Sequence, residues 1–201
     1  MKLFLIRHGQ SIGNLFLDED LPDSPLTSTG LLQADRAASF LSRKSVKRIV
    51  SSPLIRAMQT AKPLSDLLSI PVEIWMNLYE YREGTAFYSL PRKEIQKYVP
   101  DVALPEEFLE PGWRCPGGET RETVANRAKS IVRQIRSCTD DSIALFAHGM
   151  LIDFLIREIL QLSSGSNIEF VQANTCINCF EMNEDGVKVL SMNQTEHLCC
   201  H

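Results

Sequence analysis

The chain has 201 residues, of which 44% are apolar and 23% charged, and these are ordinary proportions for a globular protein. A chain of this length forms one large domain or two small ones and can bury a substantial core. The formal net charge of −4 excludes nucleic-acid binding through overall charge, although a local arginine cluster can still hold a small polyanion.

Hydrophobic segments long enough for targeting or membrane insertion are missing from the sequence. The first apolar run covers only residues 3–6, whereas a signal peptide needs roughly 7–15 apolar residues and a membrane span roughly 20. We therefore expect a cytoplasmic protein without a membrane partner. The six cysteines are expected to be reduced thiols.

Short apolar runs bounded by turn residues predict six strands. They cover residues 2–6, 48–51, 72–75, 142–147, 176–182 and 187–192. The run at 142–147 is the clearest buried strand. The last two runs flank Asp185-Gly186, which is typical of a hairpin turn.

Helical patterns alternate with these strands, at residues 29–41, 54–68, 120–135 and 150–162. Alternation of this kind predicts an α/β fold, a three-layer α-β-α sandwich with a mainly parallel sheet covered on both faces. The C-terminal hairpin adds one antiparallel element at the sheet edge.

Residues 77–118 differ from the rest of the chain because they carry seven aromatic residues and five prolines without a strong period. We interpret residues 1–201 as a single domain and residues 77–118 as a cap-like insertion over the sheet edge. A small satellite core explains the aromatic content equally well.

Two histidines occupy equivalent places in the predicted fold. His8 and His148 each follow an apolar strand and precede a glycine. In open α/β sheets the crevice beyond the carboxyl ends of the strands is where ligands bind. Since the chain has only four histidines, two of them at such positions indicate a functional site.

Motifs that span almost the whole chain resemble those of the histidine phosphatase superfamily, in its phosphoglycerate mutase-like branch. In chain order they are Leu5-Ile6-Arg7-His8-Gly9-Gln10-Ser11 with Asn14, Pro25-Leu26-Thr27 with Gly30, Ser51-Ser52-Pro53-Leu54 with Arg56, Leu78-Tyr79-Glu80 with Gly84, Gly117-Gly118-Glu119-Thr120, Ala147-His148-Gly149, and Asn193 with His197-Leu198. The ordered set is far more specific than any single motif.

The resemblance leaves a mutase, a broad phosphatase and a specific metabolite phosphatase open, and the short chain with its aromatic, Pro-rich insertion favours a phosphatase. We expect His8 to act as a covalent nucleophile toward phosphate. A phosphate monoester is a sluggish dianion, so the nucleophile needs cations that hold its pKa down and neutralise the phosphoryl oxygens. Arg7 and Arg56 suit that task because the guanidinium fork matches phosphate. His148 is expected to donate to the phosphoryl oxygens.

Neutral hydrogen-bonding groups are expected to complete the phosphate site. Gln10, Asn14 and Gly149 are the predicted substrate-binding residues, the last through a backbone amide at a helix start. The predicted partner is a small phosphorylated metabolite rather than a nucleic acid or a membrane, and a homodimer is left open.

The leaving alkoxide needs a proton, and the resemblance assigns the general acid to Glu80. Glu83 competes for this role, because the residues after Gly84 depart from the Gly-x-Trp-Glu-Gly pattern of the family. Either glutamate can also be an ordinary solvated surface residue.

Metal and cofactor binding are not expected. Cys176 and Cys179 face opposite sides of a predicted strand, which is poor geometry for sharing a metal, and Cys199-Cys200-His201 adds little to this set. By resemblance, His197 packs near the site in a structural role.

Three alternatives to the small-molecule phosphatase remain. A cofactor-dependent phosphoglycerate mutase normally carries paired arginines in its insertion, and Arg92-Lys93 with Arg114 do not form that pattern. A regulatory phosphate-binding module is disfavoured, because all five catalytic positions hold competent residues. A protein phosphohistidine phosphatase needs an open site, which the cap-like insertion disfavours.

Overall fold

The computed structural model describes residues 1–16, 21–163 and 166–199. Its main sheet has six strands: β1 Lys2–Arg7, β2 Arg48–Ser51, β3 Val72–Ile74, β6 Ser142–Ala147, β7 Ile177–Asn183 and β8 Gly186–Gln194. A separate ribbon pairs two short strands, β4 Phe87–Tyr88 and β5 Arg114–Cys115.

Helices alternate with these strands along the chain. They are α1 Ile12–Leu15, α2 Ser28–Leu41, α3 Ile55–Leu68, α4 Arg92–Tyr98, α5 Arg121–Ser137 and α6 Gly149–Ile159, with single 3₁₀ turns at Ser42–Lys44, Met76–Leu78 and Glu196–Leu198. None of the helices in the described ranges is both long and apolar enough to cross a membrane.

The strand order in the main sheet is β3-β2-β6-β1-β7-β8. The first four strands are parallel, and β7 and β8 are each antiparallel to their neighbours. The predicted α/β class with a mainly parallel sheet and an antiparallel C-terminal edge is confirmed. Because β6 lies between β2 and β1, the carboxyl ends of these three strands meet at one edge.

Strand β1 shows why the sheet is covered on both faces. Leu3 and Leu5 pack with α5 and α6, whereas Phe4 and Ile6 point to the opposite face, which α2 and α3 cover. Side chains alternate across a strand, so an uninterrupted apolar run requires a core on each side. The three layers predicted from the sequence follow from this burial.

Helix α6 ends earlier than predicted, and one short helix has no counterpart in the prediction. Helix α6 ends at Ile159 rather than at residue 162, and Gln161 has a left-handed backbone (φ 53°) that ends the helical path. The short helix α1 was not predicted, because four residues are too few to show a period.

The segment 77–118 contains β4, α4 and β5, none of which the sequence predicted. Part of it packs as core, since Ile95, Val99 and Phe108 are buried in the cluster beside α3, while Tyr88 and Tyr98 are exposed. Its description as an insertion in a single 1–201 domain stays a prediction.

The start of α2 packs directly on the chain that follows β1. The Gly30 amide donates to Thr27 Oγ1 (3.0 Å), which caps the helix. A Cβ at Gly30 would lie 2.0 Å from the carbonyl oxygen of Gln10, and a Cβ at Gly9 would lie 2.6 Å from the carbonyl oxygen of Gly30. Both contacts are with backbone, so neither position has room for a side chain.

Replacing Gly30 by alanine is therefore expected to destabilise the protein by about 1–3 kcal/mol, because the added methyl group forces backbone atoms apart. Chemical denaturation gives this free energy of unfolding directly. Thr29→Ala, an exposed change in the same helical turn, is the matched control and should stay within about 0.5 kcal/mol. Equal effects of the two substitutions would contradict the close approach.

Candidate active site

Two histidines and a serine meet at the carboxyl edge of the parallel strands. His8 follows β1, Ser52 follows β2 and His148 follows β6. The ring centroids of His8 and His148 are 5.2 Å apart. The structure thus brings the two predicted histidines together, as expected for residues at adjacent strand ends.

The His8 imidazole is held in one orientation and is only 3% exposed. Its Nδ1 lies 2.7 Å from the carbonyl oxygen of Gly9, an acceptor, so Nδ1 carries the proton. The Nε2 lone pair then accepts from Arg56 Nε at 3.2 Å. Burial and the charges of Arg56 and Arg7 lower the pKa of His8 well below its ordinary value, although the Gly9 carbonyl opposes them. The ring is therefore neutral.

Backbone carbonyls hold the two arginines. Arg56 Nη1 donates to the carbonyl oxygen of Pro22 (2.8 Å), and Arg7 Nη1 donates to that of Gln172 (2.6 Å). The Arg7 Nε is buried and has no hydrogen-bond partner within the described ranges. Burial lowers the pKa of Arg56, partly offset by the nearby carboxyls of Asp23 and Glu80.

Asp23 is a residue of this site that the sequence did not reveal. Its Oδ1 accepts from the amide of Ile55 (2.8 Å), the first residue of α3, and its Oδ2 accepts from the amide of Leu90 (2.9 Å). Burial raises the pKa of the Asp23 carboxyl, against its hydrogen bonds and the charge of Arg56. Its partners lie 32 and 67 residues away, so no local pattern could have identified it.

Glu80 lies at the N-terminus of α6. Its Oε1 accepts from the amides of Tyr81 (2.8 Å) and Leu151 (3.0 Å), and its Oε2 from that of Met150 (3.4 Å). Burial raises the pKa of Glu80, although these amides and Arg56 oppose the shift. Its competitor Glu83 is exposed and accepts from the Tyr81 hydroxyl (2.5 Å).

His148 is fully buried, and Ser52 Oγ lies 2.7 Å from its Nε2. Ser52 Oγ also accepts from the Leu54 amide (3.2 Å), and its proton has no other acceptor within the described ranges. Ser52 thus donates to His148 Nε2, which leaves the proton on Nδ1. Burial, followed by Arg56, lowers the pKa of His148 well below its ordinary value.

A cavity of about 260 Å³ opens onto this cluster. Of the predicted site residues it is lined by Arg7, His8, Asn14, Arg56 and Glu80. The lining also includes Tyr81, Phe87 and Cys115. Burial raises the pKa of the Cys115 thiol to about 12, so this wall residue is neutral.

Three predicted site residues lie outside the cavity lining. The side-chain oxygen of Gln10 accepts from the Thr27 hydroxyl (2.8 Å). His148 is buried beside His8, and its Nδ1 has no hydrogen-bond partner within the described ranges. Gly149, the first residue of α6, packs against the Arg7 side chain, where a Cβ would be 3.5 Å from Nε.

Among the described residues, neither His197 nor any cysteine other than Cys115 lines the cavity. His197 Nε2 lies 3.1 Å from Thr175 Oγ1, and the Thr175 amide donates to the His8 carbonyl (3.3 Å). Cys176 and Cys179 are free thiols. Cys200 and His201 lie outside the described residues, and within those residues no group of three or more His, Cys, Asp or Glu is arranged to hold a metal ion.

Comparison with known proteins identifies the class. The model of the histidine phosphatase superfamily (branch 1) matches residues 3–195, so the chain belongs to this superfamily and the predicted family is confirmed. The fold agrees: the structure of an Entamoeba histolytica phosphoserine phosphatase in complex with 3-phosphoglyceric acid superposes with a TM-score of 0.73 at 24% identity, covering 98% of this chain and 99% of that one.

The relatives carry both phosphatase and mutase names. The uncharacterized phosphatase PhoE of Bacillus subtilis is 27% identical over 96% of this chain and 95% of its own length. A glucosyl-3-phosphoglycerate phosphatase of Mycolicibacterium vanbaalenii is 32% identical over 80% and 75%. The probable phosphoglycerate mutase GpmB of Yersinia enterocolitica is 25% identical over 98% and 95%.

Removing the Ser52 hydroxyl should change the tautomer of His148. In Ser52→Ala the Nε2 loses its donor, so we expect the proton to distribute between Nδ1 and Nε2 and affinity for inorganic phosphate to fall about tenfold. Nitrogen NMR of the imidazoles reports the tautomer, and calorimetric titration reports the affinity. Ser51→Ala, which removes a neighbouring buried hydroxyl bonded to a carbonyl, is the control. A His148 spectrum unchanged by Ser52→Ala would refute the assignment.

Proposed function

We propose that the protein is a phosphatase that hydrolyses small phosphate monoesters through a phosphohistidine on His8. The observation that carries this proposal is the environment of His8 Nε2, an uncharged nitrogen whose lone pair points at a guanidinium and which lines the cavity together with both arginines. Neutral imidazole is the nucleophilic form, and fixed cations beside it are what a phosphoryl group requires.

In the first step phosphate binds between the two guanidinium groups and takes over the hydrogen bond that Arg56 Nε makes to His8. The freed Nε2 lone pair attacks phosphorus while the phosphorus–oxygen ester bond breaks. His8 develops positive charge, which the Gly9 carbonyl at Nδ1 stabilises. Arg7, Arg56 and the Nδ1–H of His148 carry the charge on the phosphoryl oxygens.

Glu80 is the proton donor in this scheme. Its carboxyl proton passes to the leaving alkoxide, and its carboxylate then accepts a proton from the water that attacks the phosphohistidine. Cleavage of the phosphorus–nitrogen bond returns neutral His8 and inorganic phosphate. The raised pKa of Glu80 favours the protonated form that the first step needs. Glu83 is exposed and outside the cavity lining, which favours Glu80 for the role.

The substrate is a small phosphorylated metabolite in this proposal. The cavity volume of about 260 Å³ has room for a phosphate and a compact leaving group. Two of the relatives are named for phosphoserine and glucosyl-3-phosphoglycerate, which are also phosphorylated metabolites. Asn14 offers the phosphate a polar contact from the cavity wall, and Gln10 stays a predicted ligand. The cytoplasmic location and the homodimer stay predictions.

The mutase is the second candidate, because some relatives carry that name. The arginines of segment 77–118 do not support it: Arg92 Nη2 donates to the carbonyls of Leu104 and Pro105, and neither Arg92 nor Arg114 lines the cavity. Efficient isomerisation of 3-phosphoglycerate in the presence of 2,3-bisphosphoglycerate would overturn our choice.

Brief reaction with a phosphorus-labelled monoester should leave label on the protein that is lost in acid and survives alkali, as expected for phosphohistidine. His8→Ala should form no such adduct and lose at least about a thousandfold in kcat. His197→Ala, which changes a histidine outside the cavity, is the matched control and should keep the label. An adduct of undiminished yield in His8→Ala would disprove the mechanism.

The pH profile of kcat/KM should be bell-shaped, with the acid limb due to His8 and the alkaline limb due to Glu80. Activity needs neutral His8, so it falls in acid with a midpoint well below 6.5, and it needs protonated Glu80, so it falls in alkali with a midpoint above 4.5. Glu80→Gln should abolish the alkaline limb and keep the acid limb. The second ionisation of the substrate, near about pH 6, is measured separately and divided out. Persistence of the alkaline limb in Glu80→Gln would exclude Glu80 as the acid.

A further inference from the structure

The chain around Glu80 is held from outside the cavity by a buried ion pair. The pair is formed by Arg127, two turns into α5, and Glu119, which precedes the N-cap residue Thr120 of that helix. Their side chains are only 10% and 8% exposed. The contact is bidentate: Arg127 Nε donates to Glu119 Oε1 (2.9 Å) and Nη2 donates to Oε2 (2.7 Å).

Arg127 also binds the backbone that leads into Glu80. Its Nη1 donates to the carbonyl oxygens of Asn77 and Tyr79, both at 2.8 Å. The guanidinium carbon lies 3.8 Å from the centroid of the Tyr79 ring, within the range of a cation–π contact. One side chain therefore fixes the residue directly before Glu80 through its carbonyl and through its ring.

Glu119 binds the backbone that leaves Glu80. Its carboxylate accepts from the Arg82 amide (3.3 Å), and its own amide donates to the Arg82 carbonyl (2.9 Å). The preceding glycines continue this pairing, since the Gly118 amide donates to the Gly84 carbonyl (2.8 Å). A Cβ at Gly117 would lie 2.3 Å from that same carbonyl oxygen, so a side chain there would push the chain away.

We propose that Glu119 and Arg127 are positioning residues for the general acid Glu80, which they clamp through the backbone on both of its sides. This inference rests on the role of Glu80 in the proposed function. The inference also assigns a role to the Gly117-Gly118-Glu119 motif, whose residues do not line the cavity.

Glu80 must be held in place because proton transfer tolerates little error in the position of its carboxyl group. Its carboxyl must meet the bridging oxygen of a substrate whose phosphate is fixed by Arg7 and Arg56, and a misplacement of about 1 Å can reduce the rate about a hundredfold. The pairing of Arg127 with Glu119 keeps a neutral unit near the acid, so the clamp adds no net charge that would ionise Glu80 prematurely.

Two substrates whose leaving groups differ in acidity can show whether a variant misplaces the general acid or lowers activity in general. Release of p-nitrophenolate needs little protonation, whereas release of glycerol from β-glycerophosphate depends on the acid. We expect Arg127→Met and Glu119→Gln to lower kcat/KM for β-glycerophosphate by about tenfold or more. The same variants should lower kcat/KM for p-nitrophenyl phosphate by less than about threefold.

Matched controls use residues of the same type on the same helix. Arg133→Met and Glu122→Gln change exposed side chains of α5 and should leave both substrates unaffected. Arg127→Lys keeps the charge but cannot make all four hydrogen bonds, and it replaces Arg127→Met if the latter has no cooperative melting transition. We expect Arg127→Lys to show the same contrast between substrates.

The Glu80→Gln variant distinguishes the proposed acid role of Glu80 from the proposed positioning role of Glu119 and Arg127. If it shows the contrast between substrates and the clamp variants lower both substrates equally, the clamp inference is wrong and the proposed function stands. If Glu80→Gln itself lowers both equally, the assignment of the acid fails and the clamp inference fails with it. A contrast in both sets of variants supports the two together.

Discussion

The rest of the site depends on the contact between Arg56 Nε and His8 Nε2. A guanidinium can donate to imidazole only if that nitrogen is unprotonated, so the contact requires neutral His8, with its proton on Nδ1. The Gly9 carbonyl takes that proton's hydrogen bond and keeps the ring from turning. Burial lowers the pKa of His8 and so favours the neutral ring. The charges of Arg56 and Arg7 act in the same direction, because they disfavour a third positive charge beside them.

Arg7 and Arg56 are held beside His8 by hydrogen-bond partners that do not cancel their positive charge. Carboxylate partners would neutralise the cations that a phosphate must meet, whereas the carbonyls of Pro22 and Gln172 satisfy donors and leave the charge in place. The Asp23 carboxyl is also nearby, and where it is ionised it offsets part of the charge of Arg56. Burial raises the pKa of this carboxyl, which favours its neutral form, and its oxygens accept from the amides of Ile55 and Leu90. The site thus stays cationic inside a chain whose formal net charge is −4.

Much of the proposed phosphate-binding half of the site could be predicted from the sequence, because its residues follow strands with strong local signals. β1 and β6 are apolar runs buried on both faces, and His8 and His148 come directly after them. The parallel register of β1 with β6 then brings the two rings together. Ser52 was visible only as part of a motif, and its bond to His148 depends on β2 lying beside β6.

On the side of the site where the leaving group is proposed to lie, the motifs identify Glu80 and Glu119, but no local pattern predicts what these residues contact. Asp23, Glu119 and Arg127 act through partners that lie far away in the sequence, and the fold of segment 77–118 follows from such contacts rather than from a period. The same cause explains the two missed strands, since β4 and β5 are two residues long and exist only as a pair.

This division has a chemical consequence. Phosphate is the same in every substrate, so the residues that hold it can be fixed by the ends of rigid strands. The leaving group differs between substrates, and the cavity lining near Glu80 comes from segment 77–118, through Tyr81 and through Phe87 and Cys115 of the β4–β5 ribbon. Segment 77–118 can carry the proposed acid at a defined place only if that acid is held by the rest of the fold. Glu80 is tied in this way twice, through its carboxylate to the N-terminus of α6 and through its flanking backbone to Glu119 and Arg127 at α5. Because α6 follows β6 and β6 pairs with β1, the proposed acid is held by the same part of the fold that carries His8.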